Sequence, residues 1–408
     1  MRAALKAIVT GLAMITALTG TLAMASSASA ASSASASSPV AARPPMGYNP
    51  WYATNCGIKE AIVLKQAQLL VSSGLAAAGY NGVYLDDCWM AAKRTAGGAL
   101  TWNTATFPHG IPWLSSQVHA LGLKFGIYSA IGFRTCKNLP GSYGHYTQDA
   151  QTFAQWGVDL AKIDSCGFPF LTSVTTLTAG FKAFGAALRA ANPAIVYSEE
   201  LPVPYIGTPS FIPAVQASAS FANMWRVTLD ESSASSAAAT ILGHLAADLH
   251  LHGFAGPGHW NDLDMLVTGL RKFGWTVAQE QSQLSVWAEE ASPLLLSTDI
   301  SGLTAAELAA LKNPHLIAID QSGAQAPKAI MSGHIEALMK PDPEGGLAVL
   351  LANLGTGTGS GRFTLSQFGI TTSKGSGYNV WTGRTNTFGG IAVTLGAGQT
   401  ELLVLKAA

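Results

Sequence analysis

Lys162 and Asp164 are two charged side chains separated by a single residue within the otherwise apolar stretch 160–164. The small and apolar residues around them suit a strand that is buried in a parallel sheet. Because side chains alternate along a strand, Lys162 and Asp164 lie on the same face. Two such charges are unfavourable in a buried strand unless they are paired or have a chemical function. The pattern therefore predicts either a structural ion pair or part of an active site.

Other charged and aromatic residues occur where further short apolar stretches end. These residues are Trp51, Asp86, Asp87, Tyr128, Glu200, Arg226, Asp230, Asp262 and Asp264. Many carboxylates, several tryptophans and no histidine cluster suit carbohydrate chemistry, because charged groups bind hydroxyls and aromatic rings cover the apolar face of a sugar. Hydrolysis of a glycoside also requires two carboxyl groups that flank the bond. We therefore expect a carbohydrate substrate.

A metal site is the alternative use of so many carboxylates. Asp86 and Asp87 are adjacent, so on a strand their side chains point in opposite directions, which does not suit a shared cation. The chain has no Cys-x-x-Cys motif, which argues against structural zinc. We expect neither a metal nor another cofactor.

These residues require a scaffold that brings the ends of several strands together. Strands are expected at 46–51, 82–85, 124–128, 160–164, 195–198, 224–226, 258–262 and 293–297, and amphipathic helices at 60–73, 113–120, 147–156, 172–191, 234–251, 276–290 and 304–311. Eight strand–helix repeats predict a (β/α)8 barrel over residues 44–324, with its active site at the carboxyl ends of the strands. An open doubly wound sheet is the alternative, but its usual Gly-rich phosphate loop is absent after the first strand.

The pattern changes after residue 324. Short strand-like runs lie at 329–339, 347–354, 363–365, 378–381, 391–395 and 400–405, and Gly-rich turns separate them. They predict a small antiparallel β domain over residues 325–408.

The amino-terminal segment has the features of a targeting sequence. Residues 1–30 combine a short basic region, an apolar run and a small-residue cleavage site, which predicts a signal peptide and secretion to the extracellular space. A membrane anchor is the alternative, but the apolar run is short. Residues 31–43 form an Ala/Ser-rich linker. The formal net charge of +0 argues against nucleic acid or an anionic membrane as the partner, and the sequence predicts no oligomeric state.

The four cysteines follow the first four predicted strands in turn. Cys56 and Cys88 follow strands one and two, and Cys136 and Cys166 follow strands three and four. Secretion favours disulfides, and four cysteines allow three pairings. Because neighbouring barrel strands end at the same rim, we expect the pairs Cys56–Cys88 and Cys136–Cys166.

Several separate motifs resemble those of glycoside hydrolase family 27, the α-galactosidases and their relatives. They are PPMG at 44–47, LDDCW at 85–89, KFGIYS at 124–129, KIDSC at 162–166 and AGPGHWNDLDML at 255–266. The resemblance covers nearly all of the chain after the linker and implies a retaining, two-aspartate hydrolysis of α-galactosides.

The resemblance assigns the two reacting carboxyl groups. Asp164 matches the family's nucleophile, and Asp230 matches the acid/base of an Arg-x-x-x-Asp pattern that begins at Arg226. Lys162 favours an ionised Asp164, and the pKa of Asp230 is expected to rise beside a charged Asp164. Retention of configuration predicts that the two carboxyl groups stand roughly 5–5.5 Å apart.

The resemblance also implies sugar contacts. Asp86 and Asp87 would bind the hydroxyls at the C4 and C6 end of galactose, Lys162 O3 and Arg226 O2. Trp51 would form an apolar wall, Tyr128 would lie near the anomeric centre, Glu200 would face the C2 substituent, and Asp264 would shape the rim.

The loop after strand five departs from the family pattern. It reads Glu199-Glu200-Leu201-Pro202, in which Leu201 replaces a common tryptophan and Glu200 keeps the acidic position. Glu200 occupies space near C2 and favours a plain hydroxyl over an acetamido group. A β-L-arabinopyranosidase, an α-N-acetylgalactosaminidase or an isomalto-dextranase are the alternatives within the family, and a non-catalytic glycan-binding protein is the alternative outside it.

Overall fold

The computed structural model describes residues 39–168, 173–231, 236–248, 251–326 and 328–407. The predicted signal peptide and residues 31–38 of the predicted linker lie outside the described residues. The same is true of short parts of the helices predicted at 172–191 and 234–251.

Eight short strands form one parallel sheet. They are β1 (Met46–Tyr48), β2 (Gly82–Tyr84), β3 (Lys124–Ala130), β4 (Leu160–Asp164), β5 (Val196–Glu199), β6 (Met224–Arg226), β7 (Trp260–Asp262) and β8 (Leu294–Leu296). Their order in the sheet is β7-β6-β5-β4-β3-β2-β1-β8, and each described pairing is parallel.

Leu266, just after β7, connects the two edges of this sheet. Its N–H donates to the carbonyl of Leu295 at 2.8 Å, and its carbonyl accepts from the N–H of Ser297 at 2.9 Å. The sheet therefore curls into a closed ring, and the predicted (β/α)8 barrel is confirmed. Closure leaves this sheet without an open edge.

Helices alternate with the barrel strands along the chain. They are α1 (Trp51–Thr54), α2 (Glu60–Ser72), α3 (Ile111–Ala120), α4 (Tyr146–Gln155), α5 (Val174–Ala191), α6 (Phe211–Ser218), α7 (Ala237–Asp248), α8 (Val277–Glu290), α9 (Ala305–Leu311) and α10 (Pro314–Gln321). The sequence patterns predicted all of these except α1, α6 and α10. No described helix has both the length and the apolar character that a bilayer span requires.

The helices pack through apolar faces and begin at recognisable caps. In α5, Leu177, Phe181, Phe184 and Leu188 recur at helical spacing and are all buried, so one face of the helix covers the sheet. In α9, the N-cap Thr304 and Glu307 form a reciprocal capping box.

The carboxyl-terminal region is antiparallel, as predicted. Its strands are β9 (Lys328–Ser332), β10 (Ile335–Pro341), β11 (Leu347–Asn353), β12 (Gly359–Thr364), β13 (Gly375–Asn379), β14 (Thr385–Phe388), β15 (Gly390–Leu395) and β16 (Thr400–Ala407). Six of them form a sheet in the order β14-β13-β16-β11-β10-β9, and β12 pairs with β15. The run predicted at 329–339 is two strands, because Gly333 turns the chain with a φ of 62°.

Helix α8 lies between the barrel and the antiparallel sheet. Residues 282–290 of this helix are all buried. Three hydrogen bonds join it to the carboxyl-terminal region: Trp381 Nε1 donates to Ser285 Oγ at 2.9 Å, Lys340 Nζ donates to the Ala288 carbonyl at 2.6 Å, and the Thr400 N–H donates to Ser282 Oγ at 3.1 Å. Both parts of the chain therefore bury the same helix.

Candidate active site

Asp164 is the last residue of β4, at the carboxyl end of the barrel. Tyr128, on the neighbouring β3, donates its hydroxyl to Asp164 Oδ2 at 2.9 Å, and the Cys166 N–H donates to Oδ1 at 3.2 Å. Cys136 Sγ lies 3.1 Å from Oδ2. The carboxylate is therefore held on both oxygens, in a half-buried position at the barrel rim.

Lys162 forms its described ion pairs with two other carboxylates rather than with Asp164. Its Nζ lies 2.9 Å from Asp86 Oδ2 and 3.3 Å from Glu200 Oε1. It also lies 5.5 Å above the centre of the Tyr128 ring. The lysine thus connects the ends of β2, β4 and β5, and its charge acts on Asp164 through space.

Asp86 and Asp87 have separate partners, as their opposite orientation predicts. Asp86 Oδ2 accepts from the buried Asn49 Nδ2 at 2.9 Å as well as from the lysine. Asp87 accepts from the Cys88 N–H at 2.7 Å and from the Lys137 N–H at 3.0 Å. Two backbone donors therefore orient Asp87, whereas Asp86 combines side-chain donors on Oδ2 with the Asp87 N–H, which donates to Oδ1 at 2.9 Å.

Trp51 lies at the start of α1, on the loop that follows β1. Lys137 Nζ stands 5.2 Å from the centre of its indole ring. Because Lys137 also donates its N–H to Asp87, the loop after β3 contacts both Trp51 and Asp87.

Arg226 is the centre of a second charged group. Its Nη1 lies 3.1 Å from Asp264 Oδ1 and 3.6 Å from Glu200 Oε1. Its Nη2 lies 3.0 Å from Asp230 Oδ1. The guanidinium is only 2% exposed, whereas the Asp230 side chain is 69% exposed. The buried arginine therefore holds a carboxylate that is otherwise free to reach solvent.

Tyr52 and Asn49 are site residues that the sequence patterns did not single out. The Tyr52 hydroxyl donates to Asp264 Oδ2 at 2.5 Å, and the Glu231 N–H donates to the same hydroxyl at 2.7 Å. Both residues follow β1, and their polarity next to a buried strand is the signal that could have identified them. Asp264 itself has a φ of 84°, a backbone conformation that residues other than glycine rarely adopt.

Of the two expected reacting carboxyl groups, Asp164 feels the Lys162 charge in the expected direction, whereas the pKa of Asp230 differs from the expectation. Burial raises the pKa of Asp164, against the lowering effects of the Lys162 charge and the Tyr128 hydrogen bond. Burial also raises the pKa of Asp230, but the Arg226 and Lys162 cations outweigh it, and the net pKa is lowered. The expected rise at Asp230 is therefore wrong for this structure, because the nearby cations, Arg226 first, outweigh the effect of burial.

Both expected disulfides are confirmed. Cys56 pairs with Cys88, with Cα atoms 5.1 Å apart, and Cys136 pairs with Cys166, with Cα atoms 5.2 Å apart. The second disulfide ties the loop after β3 to the loop that directly follows Asp164.

Comparisons with known proteins agree on one family. The melibiase family model described as Alpha galactosidase A matches residues 50–322. Human α-galactosidase A is 40% identical over 265 residues, which cover 65% of this chain and 60% of the human protein. α-Galactosidase 2 of Arabidopsis thaliana is 33% identical over 334 residues, which cover 80% of this chain and 79% of the plant protein. The chain spans about two thirds of the length of the Aspergillus relatives it matches.

The fold agrees with solved structures as well. The crystal structure of α-galactosidase I from Mortierella vinacea aligns with a TM-score of 0.79 at 25% identity, over 91% of this chain and all of that chain (100%). A β-L-arabinopyranosidase from Geobacillus stearothermophilus shares the fold, with a TM-score of 0.76 at 21% identity, over 90% of this chain and 97% of that chain. The family model over residues 50–322 and the plant relative show that the chain belongs to glycoside hydrolase family 27, the melibiase family.

Proposed function

We propose that the chain is a secreted, retaining exo-glycosidase that hydrolyses terminal α-D-galactosyl residues from oligosaccharides or polysaccharides. The observation that carries the proposal is the pair of carboxyl groups at one barrel rim, Asp164 on β4 and Asp230 after β6, each with its own set of hydrogen-bond donors. The α-galactosidase relatives support the choice of sugar.

In the first step, Asp164 is the nucleophile. One of its carboxylate oxygens forms a bond to the anomeric carbon, while Asp230 gives its proton to the glycosidic oxygen and the bond to the leaving group breaks. In the second step, Asp230 takes a proton from water, the water oxygen attacks the anomeric carbon, and Asp164 is released. Two inversions return the original configuration. The separation of roughly 5–5.5 Å that retention requires stays a prediction.

Asp230 must be protonated for the first step, although its contact with Arg226 favours the ionised form. We infer that the substrate changes this contact. If the sugar O2 hydroxyl takes a place on the Arg226 guanidinium, Asp230 loses part of the stabilisation of its charge, and its pKa rises next to Asp164. The exposure of the Asp230 side chain allows it to turn towards the glycosidic oxygen.

The remaining rim residues would bind the sugar. Asp86 and Lys162 are paired at 2.9 Å and offer both an acceptor and donors to adjacent hydroxyls. Asp87 is oriented by two backbone N–H groups, and the Trp51 ring offers an apolar face. Tyr128 would stay near the anomeric carbon through its bond to Asp164, and Asp264 would hold Arg226 in position.

Glu200 supports a substrate with a plain C2 hydroxyl. Its side chain is 6% exposed and lies between Lys162 and Arg226, so two ion pairs fix the carboxylate. Leu201, which replaces the family's common tryptophan, is fully buried and does not form an open pocket wall. A fixed carboxylate beside C2 leaves less room for an acetamido group.

Secretion is part of the proposal. The two disulfides support an oxidising compartment, because such bonds are rare in the reducing cytosol.

A panel of nitrophenyl glycosides tests the function. We expect release of nitrophenol from the α-D-galactoside, and much slower release from the β-L-arabinopyranoside and the α-N-acetylgalactosaminide. If either of the last two substrates is hydrolysed faster than the α-D-galactoside, the chain is a β-L-arabinopyranosidase or an α-N-acetylgalactosaminidase instead of an α-galactosidase. If none is cleaved while galactose still binds, the non-catalytic glycan-binding alternative is correct. NMR of the first-formed galactose distinguishes retention from inversion.

A further inference from the structure

A surface patch near the candidate active site combines exposed aromatic rings with cationic side chains. Phe133 and Tyr143 are 53% and 36% exposed, and their ring centroids lie 4.3 Å apart. They line a cavity of about 340 Å³ together with Lys93, Arg134 and His145. We call these five residues the aromatic–cationic patch.

The charge of the patch is not balanced locally. Arg94 also lines the cavity, but it is committed to the buried Asp149, at 2.7 and 2.6 Å, and to the Gly141 carbonyl at 2.6 Å. None of the described residues that line the cavity is acidic. No carboxylate in the described ranges forms an ion pair with Lys93 or Arg134. In a chain with a formal net charge of +0, these exposed cations form a local excess of positive charge.

The patch lies at the base of a hairpin-like loop after β3. Arg134 and Pro140 form an antiparallel bridge, and the Gly141 N–H donates to the Phe133 carbonyl at 2.9 Å. The Phe133 N–H in turn donates to the carbonyl of Gly167 at 2.8 Å. The loop is thus fixed on the segment that follows β4.

The tip of the same loop reaches the candidate active site. Cys136 Sγ stands 3.1 Å from Asp164 Oδ2, and the Lys137 N–H donates to Asp87. Cys136 lies three positions after Phe133, a distance of roughly 10 Å in extended chain. A glycan whose terminal sugar lies at Asp164 is therefore within reach of the patch through its next units.

We propose that the aromatic–cationic patch binds an acidic sugar unit, carboxylated or sulfated, of a glycan chain. The apolar face of the sugar ring packs on Phe133 and Tyr143, and its anionic group binds Lys93 and Arg134. A neutral sugar would leave both cations without a partner, and a small inorganic anion would not use the exposed rings. The inference rests on the proposed function only in taking the ligand to be a glycan.

Isothermal titration of the full chain with three matched trisaccharides tests the proposal. The probes are mannotriose, its mono-6-sulfated form and a β-1,4-mannuronate trisaccharide. We expect at least one acidic probe to bind about tenfold more tightly than mannotriose, and its affinity to fall as salt increases. Preference for the mannuronate or for the sulfated probe identifies the carboxylate or the sulfate ester as the ligand group.

Variants assign the binding to the patch. Arg134→Gln and Lys93→Gln should each weaken the acidic probe by about three- to tenfold, and Phe133→Ala should weaken it by a similar factor. Lys374→Gln, which removes an exposed cation in the carboxyl-terminal region, should bind like the original chain. Thermal unfolding of each variant verifies that it is folded.

Two results would overturn the proposal: acidic probes that bind no more tightly than mannotriose, or unchanged affinity in both Arg134→Gln and Lys93→Gln. Neither readout requires hydrolysis. A chain that cleaves no galactoside but binds an acidic probe through Arg134 therefore refutes the proposed function and supports the patch.

Discussion

Replacement of Tyr52 by phenylalanine tests how the chain positions Asp230. The Tyr52 hydroxyl donates to Asp264 and accepts the N–H of Glu231, the residue that follows Asp230. Asp264 holds Arg226 at 3.1 Å, and Arg226 holds Asp230 at 3.0 Å. One hydroxyl thus fixes the Asp230 loop through its backbone and, by way of the arginine, through its side chain.

The expected magnitude follows from what remains after the change. Asp264 Oδ2 keeps the Glu231 N–H at 2.9 Å, and Oδ1 keeps Arg226, so no charge is left without a partner. The variant loses the hydrogen bond to the charged Asp264, about 1.5–3 kcal/mol of the free energy of unfolding. It also loses the bond from the Glu231 N–H, which keeps Asp264 as its other acceptor. If a similar amount is lost from the transition state, kcat falls by roughly ten- to a hundredfold, since 1.36 kcal/mol corresponds to a factor of about ten.

The effect should depend on pH. Burial raises the pKa of Asp264 to about 6, and the Tyr52 hydrogen bond opposes that rise. Without the hydroxyl, the pKa of Asp264 rises further, and this residue becomes protonated at a higher pH. A neutral Asp264 holds Arg226 less firmly, so relative to the original chain the variant should lose more activity at pH 7 than at pH 5, where Asp264 is already largely protonated in both.

The assay is kcat and KM for nitrophenyl α-galactoside between pH 4.5 and 8, with thermal unfolding in parallel. Tyr48→Phe is the matched control, because the Tyr48 hydroxyl is buried and has no hydrogen-bond partner among the described residues. We expect Tyr48→Phe to keep its pH profile. If Tyr52→Phe loses stability but keeps the original kcat at both pH 5 and pH 7, the positioning argument is refuted and the tyrosine has a structural role alone.

Three further predictions concern Asp164, Glu289 and the disulfides. Asp164→Asn should abolish turnover of nitrophenyl α-galactoside and leave galactose binding intact, and substantial remaining activity would contradict its role as nucleophile. Burial raises the pKa of Glu289 to about 8, so its contribution to stability is present below about pH 4.5 and is lost as the pH rises towards 8. The Tm of the original chain should therefore fall from pH 5 to pH 8, and Glu289→Gln should reduce that fall. An unchanged fall in the variant would exclude Glu289 as its source. Replacing both Cys136 and Cys166 by serine should lower the free energy of unfolding by about 3–4 kcal/mol, because the disulfide closes a loop, and should also lower kcat. The Cys56/Cys88 double replacement should cost as much stability but mainly raise KM, because Cys88 adjoins Asp87. Equal kinetic effects of the two replacements would contradict this prediction.

The barrel was predictable because each strand is a short apolar run that ends in a polar or aromatic residue. The periodicity of apolar residues likewise predicted most helices. Helix α6 was missed because Pro213 stands in its first turn, where a proline is tolerated but reads as a breaker. Strand β14 was not predicted, because its sequence TNTF has no alternating apolar pattern. It is a strand because it pairs with β13.

The cluster of charged residues at the barrel rim was predictable by residue type, but the contacts of each residue were not. Charged residues at strand ends predicted that Asp86, Lys162 and Arg226 lie near one another, and their ion pairs show this clustering. Their hydrogen-bond network was not predictable, because Asn49 and Tyr52 contact residues that lie 37 and 212 positions away in the sequence. The pKa of Asp230 depends on the balance between burial and the Arg226 and Lys162 cations, which only the three-dimensional structure determines.

Helix α8 has a consequence for anyone who wishes to produce the barrel alone. A chain cut near residue 325 would keep the helix and lose the sheet that covers its outer side. The main apolar core also crosses that cut, since Leu350, Leu402 and Val404 belong to the same buried cluster as the barrel strands. Such a fragment would present a wide apolar surface to water and would be expected to precipitate. A chimera that takes its carboxyl-terminal region from a relative would therefore also need helix α8 from that relative.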